Sequence, residues 1–122
     1  MSEPKIFCAI DTPDIERACD LARRVGPVTG GIKLGLEFFN AFGPRGLEKV
    51  REACPEAALF VDLKYHDIPN TVAGAVRALT SNLAPDYLNV HAAGGRAMME
   101  AALGAVQGGS KLLAVTILTA LS

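Results

Sequence analysis

Four charged side chains of alternating sign are the residues of this sequence best suited to chemistry: Lys33, Asp62, Lys64 and Asp67. Asp62 and Lys64 are two residues apart in a short apolar run, so in a β-strand their side chains point to the same side. Isolated buried charges are very costly, whereas an alternating array lets each charge neutralise its neighbours. A structural ion pair would explain a single Asp–Lys pair, but four such groups at strand ends indicate an active site.

Such an array supports two reaction classes. A lysine that is desolvated among charges can lose its proton and form a Schiff base with a carbonyl substrate, as in aldolases. A lysine that flanking carboxylates keep protonated can instead stabilise a carbanion and then deliver a proton to it. The carboxylates on both sides of Lys64 favour the charged ammonium, and therefore a proton donor over a nucleophile.

The hydrophobic pattern predicts β-strands that alternate with α-helices. We expect strands at about 5–11, 28–35, 57–64, 85–91 and 111–119. We expect helices at about 14–25 with Asp14 or Thr12 as the N-cap, at 36–53 with an interruption near Gly43-Pro44, after Pro69, and at 96–106. Strands that alternate with helices pair in parallel through right-handed crossovers, which leaves a doubly wound open sheet or a (β/α)8 barrel.

The two faces of the predicted strands favour the barrel. One face is aliphatic, as shown by Leu59 and Val61 in the third strand. The opposite face becomes polar or charged at the C-terminal ends of four consecutive strands, through Asp11, Lys33, Asp62 with Lys64, and Asn89 with His91. An open sheet covered by helices on both sides would be apolar on both faces, whereas a barrel carries its active site at the C-terminal mouth.

Length limits how much of a barrel can be present. The chain has 122 residues, and a whole (β/α)8 barrel takes roughly 200–250. Five predicted strands and four helices correspond to about the first four and a half βα units. We therefore predict a single partial TIM-barrel domain over residues 1–122, and we interpret the chain as a fragment.

Composition argues against several other classes of function. The formal net charge is −1, without a run of basic residues, so nucleic acid and anionic membranes are not expected partners. The separated cysteines Cys8, Cys19 and Cys54 suggest neither a disulfide framework nor a zinc site. The N-terminus lacks a signal-peptide pattern, and the most apolar segment, 112–121, is shorter than the ~20 residues of a membrane span. The expected location is the reducing cytoplasm.

The segment Asp62-x-Lys64-x-x-Asp67-Ile68-Pro69-Asn70-Thr71 resembles the signature of the orotidine 5′-phosphate decarboxylase family, bacterial type, N-terminal half. The flanking matches are Ala9-Ile10-Asp11, Lys33-Leu34-Gly35-Leu36-Glu37, Asn89-Val90-His91 with Gly94-Gly95, and Val115-Thr116-Ile117-Leu118-Thr119. The bare D-x-K-x-x-D motif is shared with 3-keto-gulonate 6-phosphate decarboxylases and hexulose-phosphate synthases. The Ile-Pro-Asn-Thr continuation makes the resemblance much more specific to the orotidylate branch.

The resemblance implies conversion of orotidine 5′-phosphate (OMP) to UMP and CO2, the last step of pyrimidine nucleotide synthesis, without a metal or an organic cofactor. It implies that Lys64 protonates C6 of the pyrimidine and that Asp62 lies beside the substrate carboxylate. It also implies that Lys33 contacts the ribose and holds the charge array. The other implied contacts are Asp11 with a ribose hydroxyl, Ser122 with the pyrimidine, and Asp67, Ile68 and Thr71 with the partner subunit's site in a homodimer.

The resemblance also places the phosphate-binding loops and the lid of the family after strands six to eight, beyond residue 122. We therefore expect negligible decarboxylation by this chain alone. Two alternatives stay open, a non-catalytic half-barrel that associates through its open edges, and a sugar-phosphate decarboxylase or aldolase of the same superfamily. His91 and Gly94-Gly95 each have a ligand-binding and a structural interpretation, and the sequence does not choose between them.

Overall fold

The computed structural model describes residue 4 and residues 6–120, and it divides into two compact units, 1–62 and 63–122. The strands are β1 (Cys8–Ala9), β2 (Gly31–Gly35), β3 (Ala58–Tyr65), β4 (Tyr87–His91) and β5 (Lys111–Val115). The helices are α1 (Ile15–Thr29), α2 (Leu36–Ala53), α3 (Pro69–Asn82) and α4 (Arg96–Ala105). The strand order is β1-β2-β3-β4-β5, and the boundary between the units falls within β3. The predicted α/β class with parallel strands is confirmed.

In the first unit, β2 pairs in parallel with β1 and with β3, and α1 packs against α2. The N-cap of α1 is Asp14, whose carboxylate accepts hydrogen bonds from the N–H groups of Glu16 and Arg17 at 3.0 and 3.2 Å. The predicted interruption of α2 is confirmed, because Gly43 has a φ of 66° directly before Pro44. These features set where α1 begins and where α2 bends.

In the second unit, β4 pairs in parallel with β5, and α3 packs against α4. Helix α3 begins with Pro69, at a position where a missing backbone N–H costs nothing. The buried hydroxyl of Thr80 accepts the Gln107 N–H at 2.9 Å. This bond fixes the end of α4 against α3, and with it the path of the chain into β5.

Some of the predicted boundaries were wrong. Strand β1 contains Cys8–Ala9 rather than 5–11, of which residue 5 lies outside the described residues, and β5 ends at Val115 rather than at 119. Helix α1 continues through Pro27 to Thr29, so β2 begins at Gly31 and not at 28. The helix ends where it does because Gly30, with a φ of 77°, adopts the left-handed conformation and donates its N–H to the Gly26 carbonyl at 2.8 Å.

The predicted aliphatic face of the strands is confirmed. Its side chains are at most 1% exposed and comprise Ile32 and Leu34 on β2, Leu59 and Val61 on β3, and Leu88 and Val90 on β4. Burial of these side chains supplies the apolar core beneath the helices of each unit. The polar face of the same strands is therefore left to carry the candidate site.

Candidate active site

The ends of β2 and β3 bring Lys33 and Asp62 together, as predicted. Lys33 Nζ lies 3.1 Å from Asp62 Oδ2. In the register of these strands Asp62 lies opposite Gly35, which is two residues beyond Lys33, so the lysine reaches along the sheet to its partner. The Asp62 side chain is 9% exposed, whereas that of Lys33 is 31% exposed. The pair thus combines a buried carboxylate with an ammonium group that solvent can reach.

Asp11 follows β1 beside the same part of β2. The Ile10 N–H donates to the Lys33 carbonyl at 2.9 Å, so pairing between the strands extends to the residue directly before Asp11. Ile10 is fully buried, whereas Asp11 is exposed. An exposed carboxylate at this strand end can accept hydrogen bonds from a hydroxylated ligand.

Lys64 has a left-handed backbone, with a φ of 51°, within β3. For a residue other than glycine this conformation costs roughly 1–2 kcal/mol, because the Cβ approaches the following carbonyl oxygen. The Lys64 N–H donates to Oδ1 of Asn89 on β4 at 2.9 Å, and Asn89 is only 2% exposed. The regular extended backbone on which the predicted alternation of side chains rests is therefore interrupted at Lys64.

Asp67, Ile68 and Thr71 lie at the exposed beginning of α3. Asp67 Oδ1 accepts the Ile68 N–H at 2.7 Å, and Ile68 is the N-cap residue of the helix. The Ile68 side chain is 65% exposed, and Asp67 and Thr71 are exposed as well. These three predicted site residues can therefore contact another molecule without rearrangement of α3.

The end of β4 carries His91 and Gly94, for which the structural interpretation is favoured. His91 Nδ1 accepts the Ala93 N–H at 3.0 Å, which caps the turn after the strand. The rings of His91 and His66 are stacked, with their centroids 5.6 Å apart. A Cβ at Gly94 would collide with the Met98 side chain and lie 3.3 Å from a carbon of the His66 ring. Packing at the start of α4 thus explains this glycine.

One site residue was missed by sequence reasoning. Asn89 was assigned to the polar face of its strand but not to the predicted site, although its side chain holds the backbone of Lys64. The available signal was an amide side chain between the aliphatic residues Leu88 and Val90, because a buried amide needs a hydrogen-bond partner. Of the predicted site residues, Ser122 lies outside the described residues.

Within residues 4 and 6–120, no group of three or more His, Cys, Asp or Glu side chains could hold a metal ion. None of the helices in this part of the chain is long and apolar enough to cross a membrane.

A family model described as orotidine 5′-phosphate decarboxylase / HUMPS family matches residues 4–121. A curated relative from Rhodospirillum rubrum, named orotidine 5′-phosphate decarboxylase, is 52% identical, and the match covers 99% of this chain and 51% of that protein. A relative of the same name from Moorella thermoacetica is 47% identical, and the match covers 98% of this chain and 50% of that protein. The chain therefore spans about half the length of the curated relatives it matches.

Solved structures give the same result. The crystal structure of orotidine 5′-phosphate decarboxylase from Lactobacillus acidophilus matches with a TM-score of 0.82 and 33% identity, over 98% of this chain and 56% of that one. The corresponding protein from Pyrococcus horikoshii matches with a TM-score of 0.78 and 25% identity, over 88% of this chain and 49% of that one. These matches confirm the predicted fold class, the first part of a (β/α)8 barrel. By sequence and by structure, the chain belongs to the orotidine 5′-phosphate decarboxylase / HUMPS family.

Proposed function

We propose that this chain carries the decarboxylating part of an orotidine 5′-phosphate decarboxylase, a lyase that converts OMP to UMP and CO2 in pyrimidine biosynthesis. The observation that carries the proposal is the Lys33–Asp62 ion pair at 3.1 Å, with Lys64 two residues further along the same strand. The names of the curated relatives support the choice of substrate. Because the chain spans about half of those relatives, the remaining substrate contacts belong to the part of the fold that they have in addition.

In the proposed reaction, the buried carboxylate of Asp62 lies beside the carboxylate of OMP. Two negative charges about 4 Å apart, at an effective dielectric constant of 20, repel each other by about 4 kcal/mol. Loss of CO2 removes this repulsion. If the whole repulsion energy is relieved in the transition state, the reaction rate rises by roughly a thousandfold. The bond between C6 and the carboxylate carbon breaks, and its electron pair stays on C6.

Lys64 then supplies the proton. Its ammonium stabilises the negative charge that develops on C6 and donates a proton there, so that a C6–H bond forms and the lysine becomes a neutral amine. Solvent returns the proton to the amine before the next turnover. Since carbanion stabilisation and protonation both come from side chains, the proposed reaction uses no metal and no organic cofactor.

Two further residues of the first unit are assigned to the ribose. Lys33 is about one third exposed, so its ammonium can pair with Asp62 and still donate a hydrogen bond to a ribose hydroxyl. Asp11, exposed at the end of β1, accepts a hydrogen bond from a second hydroxyl. Ser122 is proposed to contact the pyrimidine.

The proposed active enzyme is a cytoplasmic homodimer with shared active sites. The exposed group at the start of α3, formed by Asp67, Ile68 and Thr71, is proposed to reach into the site of the partner subunit. The 65% exposure of Ile68 supports this assignment, because an apolar side chain gains most from being covered by a partner. Asp67 would then bring a second carboxylate to the charge array of the partner.

The proposal is tested by supplying the C-terminal half that the curated relatives have in addition. The 122-residue chain is joined to the C-terminal half of the Rhodospirillum rubrum relative, and UMP formation from OMP is measured. We expect turnover by the joined protein, negligible turnover by the chain alone, and loss of turnover with Lys64→Ala. Lys49→Ala, which removes an exposed lysine of α2, is the control and should leave turnover unchanged. Absence of turnover from a folded joined protein would contradict the proposal.

A sugar-phosphate lyase is the second candidate, because the matching family model also covers the HUMPS branch. Its distinguishing behaviour would be a magnesium requirement with a keto-sugar phosphate, or borohydride trapping of that substrate on Lys64. We expect neither, because a lysine flanked by the carboxylates of Asp62 and Asp67 is better suited to donate a proton than to attack a carbonyl.

A non-catalytic association module is the third candidate. Strand β5 stands last in the sheet order, and Leu113 on this strand is 42% exposed. A strand edge with exposed apolar side chains is a site for pairing with another chain. Light scattering of the chain, alone and with the separate C-terminal half of a relative, would measure the molar mass in each case. A mass above that of one chain without the C-terminal half would indicate self-association.

A further inference from the structure

We propose that Asn89 is a positioning residue for Lys64, and that its side-chain carbonyl holds the lysine backbone in the left-handed conformation from which the proton is delivered. The inference rests on the proposed function, because it assigns a task to the lysine that this function makes the proton donor. Asn89 itself touches no reacting atom in this scheme and acts only through Lys64.

The backbone of Lys64 adopts a rare conformation. Its φ of 51° lies in a region that residues other than Gly, Asn and Asp seldom adopt. Strained residues of this kind persist only where the surrounding structure fixes them, and they concentrate at functional sites. The hydrogen bond from the Lys64 N–H to Asn89 Oδ1, at 2.9 Å, is such a fixing contact.

An amide side chain at position 89 is costly to bury. Asn89 is 2% exposed and lies in β4 between Leu88 and Val90, which are also buried. An aliphatic side chain there would extend the apolar core and would need no hydrogen-bond partner. The buried amide is therefore explained by the acceptor that it presents to the neighbouring strand.

The backbone conformation of Lys64 also determines where its side chain can reach. Rotation of φ from the extended to the left-handed region changes the direction of the Cα–Cβ bond, and so changes where the lysine ammonium can lie. A displacement of about 1 Å in a catalytic group can cost on the order of a hundredfold in rate. Loss of the Asn89 acceptor should therefore reduce the rate of proton delivery more than the binding of OMP.

The test compares two substitutions that each remove a buried side-chain acceptor of a backbone N–H. Asn89→Leu removes the oxygen that accepts the Lys64 N–H. Thr80→Val removes the hydroxyl oxygen that accepts the Gln107 N–H. The donor–acceptor distance is 2.9 Å in both hydrogen bonds. Thr80 and Asn89 are equally buried, at 2% exposure. A purely structural role predicts a loss of stability in both variants and a specific effect on kcat in neither.

The first readout is NMR of the 122-residue chain. In the wild type and in Thr80→Val, we expect a slowly exchanging Lys64 amide and the strong intraresidue amide–Hα cross-peak that marks a positive φ. Asn89→Leu should lose both signals at Lys64, whereas Asn89→Asp, which keeps an accepting oxygen, should retain them. Positive φ in a folded Asn89→Leu variant would overturn the proposal. If that variant does not fold, an extended Lys64 in Asn89→Asp, or rapid amide exchange in the wild type, would overturn it.

The second readout is kinetics of the chain joined to the C-terminal half of the Rhodospirillum rubrum relative. Asn89→Leu should lower kcat by roughly tenfold to a hundredfold, with KM changed by less than about threefold. Thr80→Val should leave both constants near the wild-type values. Equal kinetic losses in the two variants would contradict the positioning role. An inactive wild-type joined protein would instead refute the proposed function, while the NMR result still decides whether Asn89 holds Lys64.

Discussion

Lys33 Nζ and Asp62 Oδ2 lie 3.1 Å apart, yet the carboxylate side chain is only 9% exposed while the lysine side chain is 31% exposed. The two partners therefore depend on each other unequally. Without Lys33, the buried carboxylate would lose the positive charge that lies 3.1 Å away, which is costly in the interior of a protein. Without Asp62, the ammonium of Lys33 could still be hydrated.

Substitutions should reveal this asymmetry in the free energy of unfolding. We expect Lys33→Met to lower it by about 2 kcal/mol, less than for a fully buried pair. Asp62→Asn should change it by less than about 1 kcal/mol, and the double variant should be more stable than Lys33→Met alone. Urea denaturation followed by circular dichroism measures these differences.

The exposed pair of Asp20 and Arg24 in α1 is the comparison for this experiment. Its side chains are 45% and 76% exposed, so Asp20→Asn should change the free energy of unfolding by less than about 0.5 kcal/mol. A Lys33→Met variant no less stable than Asp20→Asn would show that the carboxylate of Asp62 does not need the lysine.

Gly31, the first residue of β2, should not tolerate a side chain. A Cβ at this position would lie 2.7 Å from a ring carbon of Phe7 and 3.1 Å from the Ile6 carbonyl oxygen. Because that carbonyl belongs to the backbone, we expect Gly31→Ala to lower the free energy of unfolding by roughly 1–3 kcal/mol. Gly74→Ala in α3, where nothing lies within 4 Å, should raise it by about 0.5–1 kcal/mol. Thermal denaturation of both variants is the measurement, and equal signs would contradict the prediction.

Alkaline pH should destabilise the chain through Cys54. Burial raises the pKa of the Cys54 thiol above its ordinary value of 9.0, and the hydrogen bond to Glu56 with its negative charge raises this pKa further. The unfolded thiol therefore ionises first. The buried Cys54 thiol therefore contributes fully to the free energy of unfolding below pH 9.0, and this contribution is lost as the pH rises through the folded-state pKa.

Cys54→Ser removes this titration, so its Tm should fall less than that of the wild type between pH 7 and pH 10. The fall should be reduced but not abolished, because burial also raises the pKa of Cys19. Cys8→Ser, at a half-buried position, is the control for replacing a thiol with a hydroxyl. The same alkaline fall in Tm for Cys54→Ser and the wild type would refute the assignment to Cys54.

Dimerisation should depend on Ile68. A glutamate in place of this 65% exposed side chain would put a charge into the proposed contact with the partner subunit, so Ile68→Glu should lower the fraction of dimer. Val28 at the end of α1 is 84% exposed, and Val28→Glu should leave the fraction unchanged. Analytical ultracentrifugation decides between them, and equal effects of the two substitutions would argue against a contact at the start of α3.

Much of the fold was predictable because its signals are local. Alternating aliphatic residues such as Ile32 and Leu34 mark a strand, and Asp14 marks the start of a helix through bonds to N–H groups two and three residues away. The Lys33–Asp62 pair joins two strands that are distant in sequence, but it was predictable because the alternation within each strand places both side chains on the polar face near the strand ends.

The conformation of Lys64 was not predictable in this way. Its acceptor, Asn89, is 25 residues away in sequence, and nothing in the neighbouring residues indicates a positive φ at a lysine. The extension of α1 to Thr29 was missed for a related reason. Pro27 suggests that a helix has ended, whereas the left-handed Gly30 sets the observed end.

The left-handed backbone at Lys64 also bears on directed evolution of this fold. Glycine or asparagine would adopt a φ of 51° at lower cost than lysine, so either residue should make the strand more stable. A library screened only for heat resistance would therefore drift away from lysine at this position and, under the proposed function, would lose the proton donor. Screens on this scaffold must therefore score turnover and thermal stability together.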